Sequence, residues 1–253
     1  MIFNLFKTRP ILKELIPEGF VDIHSHILPG IDDGAKNIEE SLIMISEMKK
    51  LGFSKIIGTP HTYPGLYEND NSSIKNSYQK VCEGLNTEIQ IDYASEYLID
   101  SHIIDIIDNK SILCLKDNHI LIEMSYLNKH NHLYEIIHYI LVNGYTPILA
   151  HPERYVYFHD NFKEFNKLKR VGCKFQLNLL STIGYYGKKN LSISEKLINN
   201  DLIDYVGSDI HNLNHCNQFE KKIKIKNLKG LEKAINSNEF FLWNKIDSLK
   251  RNK

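Results

Sequence analysis

Short apolar, β-branched runs alternate along the chain with longer stretches in which apolar residues recur every three or four positions. The short runs predict strands at Phe20 to Ile23, Lys55 to Gly58, Ile89 to Ala94, His119 to Met124, Pro147 to Ala150, Lys174 to Leu177 and Asp204 to Gly207. The longer period predicts helices over about Ile38 to Lys50, Ile74 to Leu85, Leu98 to Ile107, Leu133 to Val142, Phe162 to Val171 and Leu191 to Asn200. In the first helix Ile38, Leu42, Ile45 and Met48 fall on one face, and Asn37 with Glu40 has the form of a capping box. Gly52 and Gly144 stand where helices should stop. Strands and helices in this alternation predict an α/β fold with a mostly parallel sheet, and at 253 residues a closed or distorted (β/α) barrel of about seven strands. Residues 1–19 precede the first strand and 213–253 follow the last. Both are expected to add helical decoration or a lid across the barrel bottom, within one domain spanning 1–253.

Composition narrows the function classes. The chain is 42% hydrophobic and 25% charged with a formal net charge of zero, which argues against disorder and against nucleic-acid coating. Any anionic substrate must therefore be drawn by a local site. Only four of the 31 basic residues are arginines (Arg9, Arg154, Arg170 and Arg251), so an arginine inside a motif carries weight. Cys82, Cys114, Cys173 and Cys216 are widely spaced and form no CxxC pair, so they read as reduced thiols. The N-terminal MIFNLFKTRPILKEL is broken by Lys7, Arg9 and Pro10, and no run approaches the roughly 20 apolar residues of a membrane span. A cytoplasmic location without membrane insertion is expected.

Six of the seven predicted strands run into a metal-capable side chain. His24 and His26 end the first, His61 the second, Glu96 the third, Glu123 the fourth, His151 the fifth, and Asp209 with His211 the last. The sixth ends at Asn178, a poor ligand. In a parallel barrel all C-terminal strand ends point to one rim, so these residues should converge. Histidines two apart on a strand project to one face and can grip a single ion. Asp209-Ile210-His211 repeats that spacing on the last strand, which in a closed barrel neighbours the first. Asp32 and Asp33 lie in the loop after the first strand, and the rim position favours a functional role for one of them. Five histidines with several carboxylates exceed the ligand set of one catalytic zinc, so two or three ions are implied, and manganese, iron or zinc suits the donor mixture. Arg154 leaves the same rim three residues past His151, and guanidinium forks match phosphate oxygens. Phosphate ester hydrolysis is the expected reaction. His102, His119, His130, His132, His138, His159 and His215 fall at helix, loop or strand-start positions and read as surface or packing residues.

These segments resemble a known family. Val21-Asp22-Ile23-His24-Ser25-His26 with Asp32-Asp33-Gly34, Gly58-Thr59-Pro60-His61, Ser95-Glu96, Leu121-Ile122-Glu123, Ile148 through His151-Pro152-Glu153-Arg154-Tyr155, and Gly207-Ser208-Asp209-Ile210-His211-Asn212 occur in the order found in the PHP (polymerase and histidinol phosphatase) family. Within it they resemble the bacterial CpsB/YwqE-like tyrosine-protein phosphatases of capsule and exopolysaccharide systems. The resemblance implies a distorted TIM-like barrel with three metal ions, often manganese. One ion would be held by His24, His26, Glu96 and Asp209, a second by Glu96, Glu123 and His151, and a third by Asp33, His61 and His211. Arg154, Asp33 and His61 would serve catalysis. Two departures stand out: Leu213-Asn214-His215-Cys216 and Thr62-Tyr63-Pro64 lack basic residues that family members often carry there. Tyr63, Tyr67, Tyr155 and Tyr157 are alternative walls for an aromatic ring.

The expected activity is hydrolysis of phosphotyrosine by attack of a metal-held hydroxide, on the tail of a bacterial tyrosine kinase controlling capsule synthesis. Two rivals are a PHP phosphoesterase on a small metabolite such as histidinol phosphate and a metal-loaded scaffold without turnover. A cysteine-based phosphatase centred on His215-Cys216 is excluded, because the arginine its phosphate loop needs would be residue 222, which is Lys222.

Overall fold

The computed structural model describes residues 9–242. The outer parts of the expected N-terminal extension and C-terminal tail, 1–8 and 243–253, lie outside the described residues.

The chain runs β1 (Phe20–Ser25), α1 (Ile38–Lys50), β2 (Phe53–Gly58), β3 (His61–Thr62), α2 (Asn71–Gly84), β4 (Gln90–Tyr93), β5 (Glu96–Leu98), α3 (His102–Asp108), β6 (His119–Glu123), α4 (Leu133–Val142), β7 (Thr146–Ala150), α5 (Lys163–Arg170), β8 (Lys174–Asn178), α6 (Lys188–Asn199), β9 (Tyr205–Gly207), α7 (Leu213–Asn217) and α8 (Leu228–Ser237). It is a mixed α/β fold in which every strand pairing is parallel. One sheet has the order β1-β2-β4 and the other β3-β5-β6-β7-β8-β9.

Seven expected strands become nine among the described residues because two of them, after stopping near their expected ends, resume as short second strands towards the rim. Pro60 has no N–H to give a ladder, so β2 stops at Gly58 and β3 resumes at His61. The neighbouring run breaks in step, with Ala94 N donating to Gly58 O at 2.9 Å and Glu96 N to Pro60 O at 3.1 Å. His61 and Glu96 therefore open short second strands and pair directly with each other. At the other side β1 meets the chain beyond β9 through a parallel bridge between Ser25 and Ile210, where Asp209 N donates to His24 O at 2.7 Å and His26 N to Ile210 O at 2.9 Å.

The helices follow from local chemistry. Asn37 Oδ1 accepts the Glu40 N–H at 2.9 Å and caps α1, worth about 1 kcal/mol. The reciprocal half of the expected capping box goes elsewhere, since the Glu40 carboxylate takes Lys36 N at 3.0 Å. Gly52 and Gly144 take φ of +102° and +84° behind α1 and α4, as helix stops should. Strands buried on both faces split their side chains between two cores: Ile120, Ile122 and Leu149 pack with Ile136, Ile137 and Ile140 of α4, while Leu121, Ile148 and Ala150 join Val21, Ile23 and Phe241 in a smaller central cluster. Glu123 continues the Leu121 face by strand period, which aims its carboxylate beyond the end of that cluster.

Candidate metal centre

All nine expected ligands and Arg154 come together at the strand ends. Glu96, fully buried, is the hub. Its Oε2 lies 3.2 Å from His24 Nε2, 3.6 Å from His26 Nε2 and 3.0 Å from His61 Nδ1, and its Oε1 lies 3.1 Å from His151 Nε2. Asp209 Oδ1 is 3.3 Å from the Nε2 of both His24 and His26. Glu123 Oε1 is 2.8 Å from His61 Nδ1. Towards the surface, Asp33 Oδ1 stands 3.5 Å from His61 Nε2 and 3.4 Å from His211 Nε2.

Four sets have donor atoms mutually within 4.8 Å: His26, Asp33, His61 and His211; His24, His151 and Asp209; His24, His26 and Glu96; and His61, Glu96 and Glu123. The sets interleave. His26 joins the group expected to hold the outer ion, and His151 sits with His24 and Asp209, whereas Glu123 sits with His61.

The arrangement fits cations on three counts. First, ring nitrogens of His24 and His26 face each other at 3.2 Å with carboxylate oxygens around them, a geometry only a proton or a metal can relieve. Second, His61 Nδ1 and Glu96 Oε2 are buried and lie 3.0 Å apart, yet neither is aligned for a hydrogen bond to the other or to anything else. Third, the far side of three rings is already tied. Gln176 Oε1 accepts from His24 Nδ1 at 2.8 Å, its own Nε2 fixed on Leu177 O; Asp32 Oδ2 accepts from His26 Nδ1 at 2.7 Å; and Asp209 O accepts from His211 Nδ1 at 2.9 Å. Each of those rings then turns its Nε2 inward, the usual dressing of a metal-ligating histidine.

Charge balance points the same way. Burial opposes ionisation of Glu96 and Asp209, but the surrounding histidines outweigh it and hold both carboxyls well below the usual range. Burial works against a charged His26, yet the charge of Asp32 and the closeness of Asp209 push it up to about 10; for His61, the charge of Glu96 and the closeness of the Glu123 and Glu96 carboxylates push it up to about 12. His151 moves the other way, to about 4, through burial and the nearby Arg154. Without metal this cluster gathers protons, and metal would displace them.

Two of the expected ligands sit on strained backbone. His151 and Asp209 both follow strands with φ of +34° and +52°, in the left-handed region that costs about 1–3 kcal/mol for such residues and is concentrated at functional sites.

Arg154 Nη1 donates to Asp209 Oδ2 at 2.8 Å, and its guanidinium lies between the rings of Tyr126 and Tyr186, 4.7 and 4.3 Å from their centroids. Glu153 does not hold the Arg154 side chain: its buried carboxylate accepts from Asn178 N at 3.1 Å and Ser181 Oγ at 2.6 Å. Asn178, set aside as a poor ligand, donates its amide to Asp209 Oδ2 at 2.8 Å. Asp33, Arg154, Tyr186, Asp209, His211, Asn212 and His215 line a 320 Å³ cavity.

Of the tyrosines offered as pocket walls, Tyr67 stacks on His61 with centroids 5.5 Å apart. Tyr155 does not fit that reading. It is buried, donating to Ala150 O at 3.1 Å and accepting from Met124 N at 2.9 Å, so it braces the strand ends from inside the core. Tyr157 donates to Ser125 O, and Tyr63 pairs with Tyr67 through the backbone. Among the histidines read as bystanders, His215 packs against His211 with ring centroids 5.7 Å apart and reaches the cavity. Cys216 is buried, which pushes its thiol up to about 12 and leaves no nucleophile there.

The family of capsular polysaccharide synthesis proteins CpsB/CapC matches residues 20–233. The chain belongs to that family. Every expected ligand and Arg154 fall inside the CpsB/CapC match. The tyrosine-protein phosphatase CpsB of Streptococcus pneumoniae is 30% identical over 202 residues, covering 76% of this chain and 83% of CpsB. The tyrosine-protein phosphatase YwqE of Bacillus subtilis is 29% identical over 197 residues, covering 76% and 78%. One chain from the crystal structures of YwqE from Bacillus subtilis and CpsB from Streptococcus pneumoniae, described as metal-dependent tyrosine phosphatases, superposes with a TM-score of 0.73 at 27% identity, covering 88% of this chain and 88% of that one.

Proposed function

We propose that this CpsB/CapC member is a metal-dependent protein-tyrosine phosphatase. The observation that carries the reading is the direct contact between a phosphate-matching guanidinium and a metal-type carboxylate: Arg154 on Asp209, which also touches His24 and His26. Three ions, manganese first with iron or zinc as alternatives, would be held by His24, His26, Asp33, His61, Glu96, Glu123, His151, Asp209 and His211. The β1–β9 junction supports closure of the two sheets into a distorted seven-unit barrel, read here as a single domain over 1–253. The substrate is the phosphotyrosine-bearing tail of a bacterial tyrosine kinase that controls capsule synthesis, met in the cytoplasm. No helix among the described residues is long and apolar enough to cross a membrane.

Cations bound there would supply the charge that lets water deliver hydroxide near neutral pH and that neutralises phosphoryl oxygens. The chain does the rest. Tyr126 and Tyr186 hold the Arg154 plane, so its N–H edge is pre-set for two phosphoryl oxygens. Asp33 is half exposed, and burial alone would raise it; the hydrogen bond from His211 and the charges of His211, His61 and His26 instead bring it down to about 2, keeping a fixed anionic acceptor between His61 and His211. Tyr67, stacked on His61, offers a face for the substrate ring. A tyrosine phenolate, with a free pKa of about 10, departs with little protonic help.

The test compares kcat/KM of the metal-loaded protein on a phosphotyrosyl peptide and on histidinol phosphate. Preference for the peptide by at least about tenfold, or about 1.4 kcal/mol, supports the assignment; the reverse preference makes the chain a small-metabolite phosphoesterase.

A further inference from the structure

Next to the catalytic cavity, and separated from it by one side chain, lies a groove of 340 Å³ whose charged lining is entirely lysine. Lys221, Lys222 and Lys224 are exposed, and no acidic residue lines it. The segment that carries them is extended and pinned from both sides: Ile223 N donates to Pro10 O at 2.9 Å and Lys224 N to Thr182 O at 2.9 Å. Ile223 and Ile225 are buried, so strand period puts Lys222, Lys224 and Lys226 on the opposite, solvent side. None of these lysines has an ion-pair partner among the described residues, and the nearby Glu220 is engaged by Lys13. In a chain whose net charge is zero, this concentrates positive potential at one place.

Tyr185 is the partition. It lines the groove, and its ring lies 5.3 Å from that of His215 and 5.0 Å from that of Tyr186, both of which line the catalytic cavity. An extended peptide advances about 3.3–3.6 Å per residue, so a chain with its phosphotyrosine beside Arg154 reaches the groove within a few residues. Its alternate side chains then repeat at the spacing of the lysines.

We propose that this groove docks an acidic segment flanking the phosphotyrosine on one side, making the lysine run a determinant of substrate choice. The proposal rests on the phosphatase reading for its orientation, and the experiment separates the two. Fluorescent phosphotyrosyl peptides carrying three glutamates before the phosphotyrosine, three after it, or glutamines in both places are titrated against the metal-loaded protein, and their turnover is followed alongside that of a small aryl phosphate. One acidic arrangement should bind about tenfold more tightly than the neutral peptide at low salt, and the gain should vanish near 1 M salt, where the screening length falls to about 3 Å. The double variant Lys222→Glu/Lys224→Glu should abolish the gain and leave aryl phosphate turnover unchanged, which also shows that the variant is folded. Equal binding of all peptides, equal gain from acids on either side, or a gain that survives charge reversal overturns the groove assignment. Binding of anionic lipid vesicles through these lysines, with no preference among the peptides, overturns it as well. Acid-selective binding with no turnover of any phosphate ester upholds the groove and rejects the phosphatase reading.

Discussion

The ring nitrogens Nε2 of His24 and His26 face each other 3.2 Å apart, with their outer nitrogens already engaged by Gln176 and Asp32. Two such lone pairs beside buried carboxylates repel unless a cation lies between them. Metal should therefore stabilise the fold. At a free concentration of one hundred times Kd, binding adds about 2.7 kcal/mol. For a chain of this length about 1 kcal/mol moves Tm by roughly 2–4 °C, so a rise of about 5–10 °C is expected between chelated and metal-loaded protein. Identical melting curves would show that the cluster does not take metal.

Arg154→Lys keeps the positive charge but loses the planar fork and the ring stack between Tyr126 and Tyr186. The expected result is a fall of about one hundredfold in kcat/KM on a phosphotyrosyl peptide, equivalent to about 2.7 kcal/mol, with metal content unchanged. Steady-state kinetics with elemental analysis of the same preparation checks both halves.

Tyr186 contributes a ring face to Arg154 and accepts the Asn178 amide at 3.1 Å through its hydroxyl. Tyr186→Phe keeps the face and should lower kcat/KM less than about threefold, whereas Tyr186→Ala should cost about 1–2 kcal/mol, or roughly tenfold. Equal effects of the two substitutions would place the contribution in the hydroxyl.

Gly34 closes the loop that carries Asp32 and Asp33, and it does so by close approach. A Cβ there would stand 2.0 Å from His26 O and 2.5 Å from His26 Cβ. Gly34→Ala should displace both aspartates and His26 together, so metal affinity is expected to drop at least tenfold by isothermal titration while the far-UV circular dichroism stays close to wild type. Unchanged affinity would mean that the loop does not shape the site.

Cys216→Ala should leave phosphotyrosine hydrolysis within twofold of wild type, because the buried thiol is pushed up to about 12 and is no nucleophile. Loss of activity on this change, in folded protein, would revive a cysteine mechanism.

Much of the site was legible because its signals are local. His24-Ser25-His26 and Asp209-Ile210-His211 carry their spacing in sequence, and the strand-end positions of His61, Glu96, Glu123 and His151 follow from the apolar runs before them. The supports were not legible. Gln176 reaches His24 across 152 positions and Asn178 reaches Asp209 across 31, through contacts with no local pattern. Tyr126 and Tyr186 are loop aromatics with no local pattern that ties them to Arg154, and only the fold brings their rings to its guanidinium. Tyr155 shows the opposite error: as one of four tyrosines it reads as a candidate pocket wall, but its ring is buried in the core with its hydroxyl bonded to Ala150 O and Met124 N. The strand count rose from seven to nine because pairing resumes beyond the expected strand ends at Gly58 and Ala94, in segments too short and too polar to show a strand pattern, His61–Thr62 and Glu96–Leu98.

The central claim is that phosphotyrosine hydrolysis depends on metal held by this cluster. It is tested most directly by measuring turnover of a phosphotyrosyl peptide after exhaustive chelation and again after manganese, iron or zinc is returned singly. Activity should fall below about 1% of the loaded protein, a loss of more than about 2.7 kcal/mol of transition-state stabilisation, and recover with at least one metal. Full turnover by protein shown to be metal-free would contradict it.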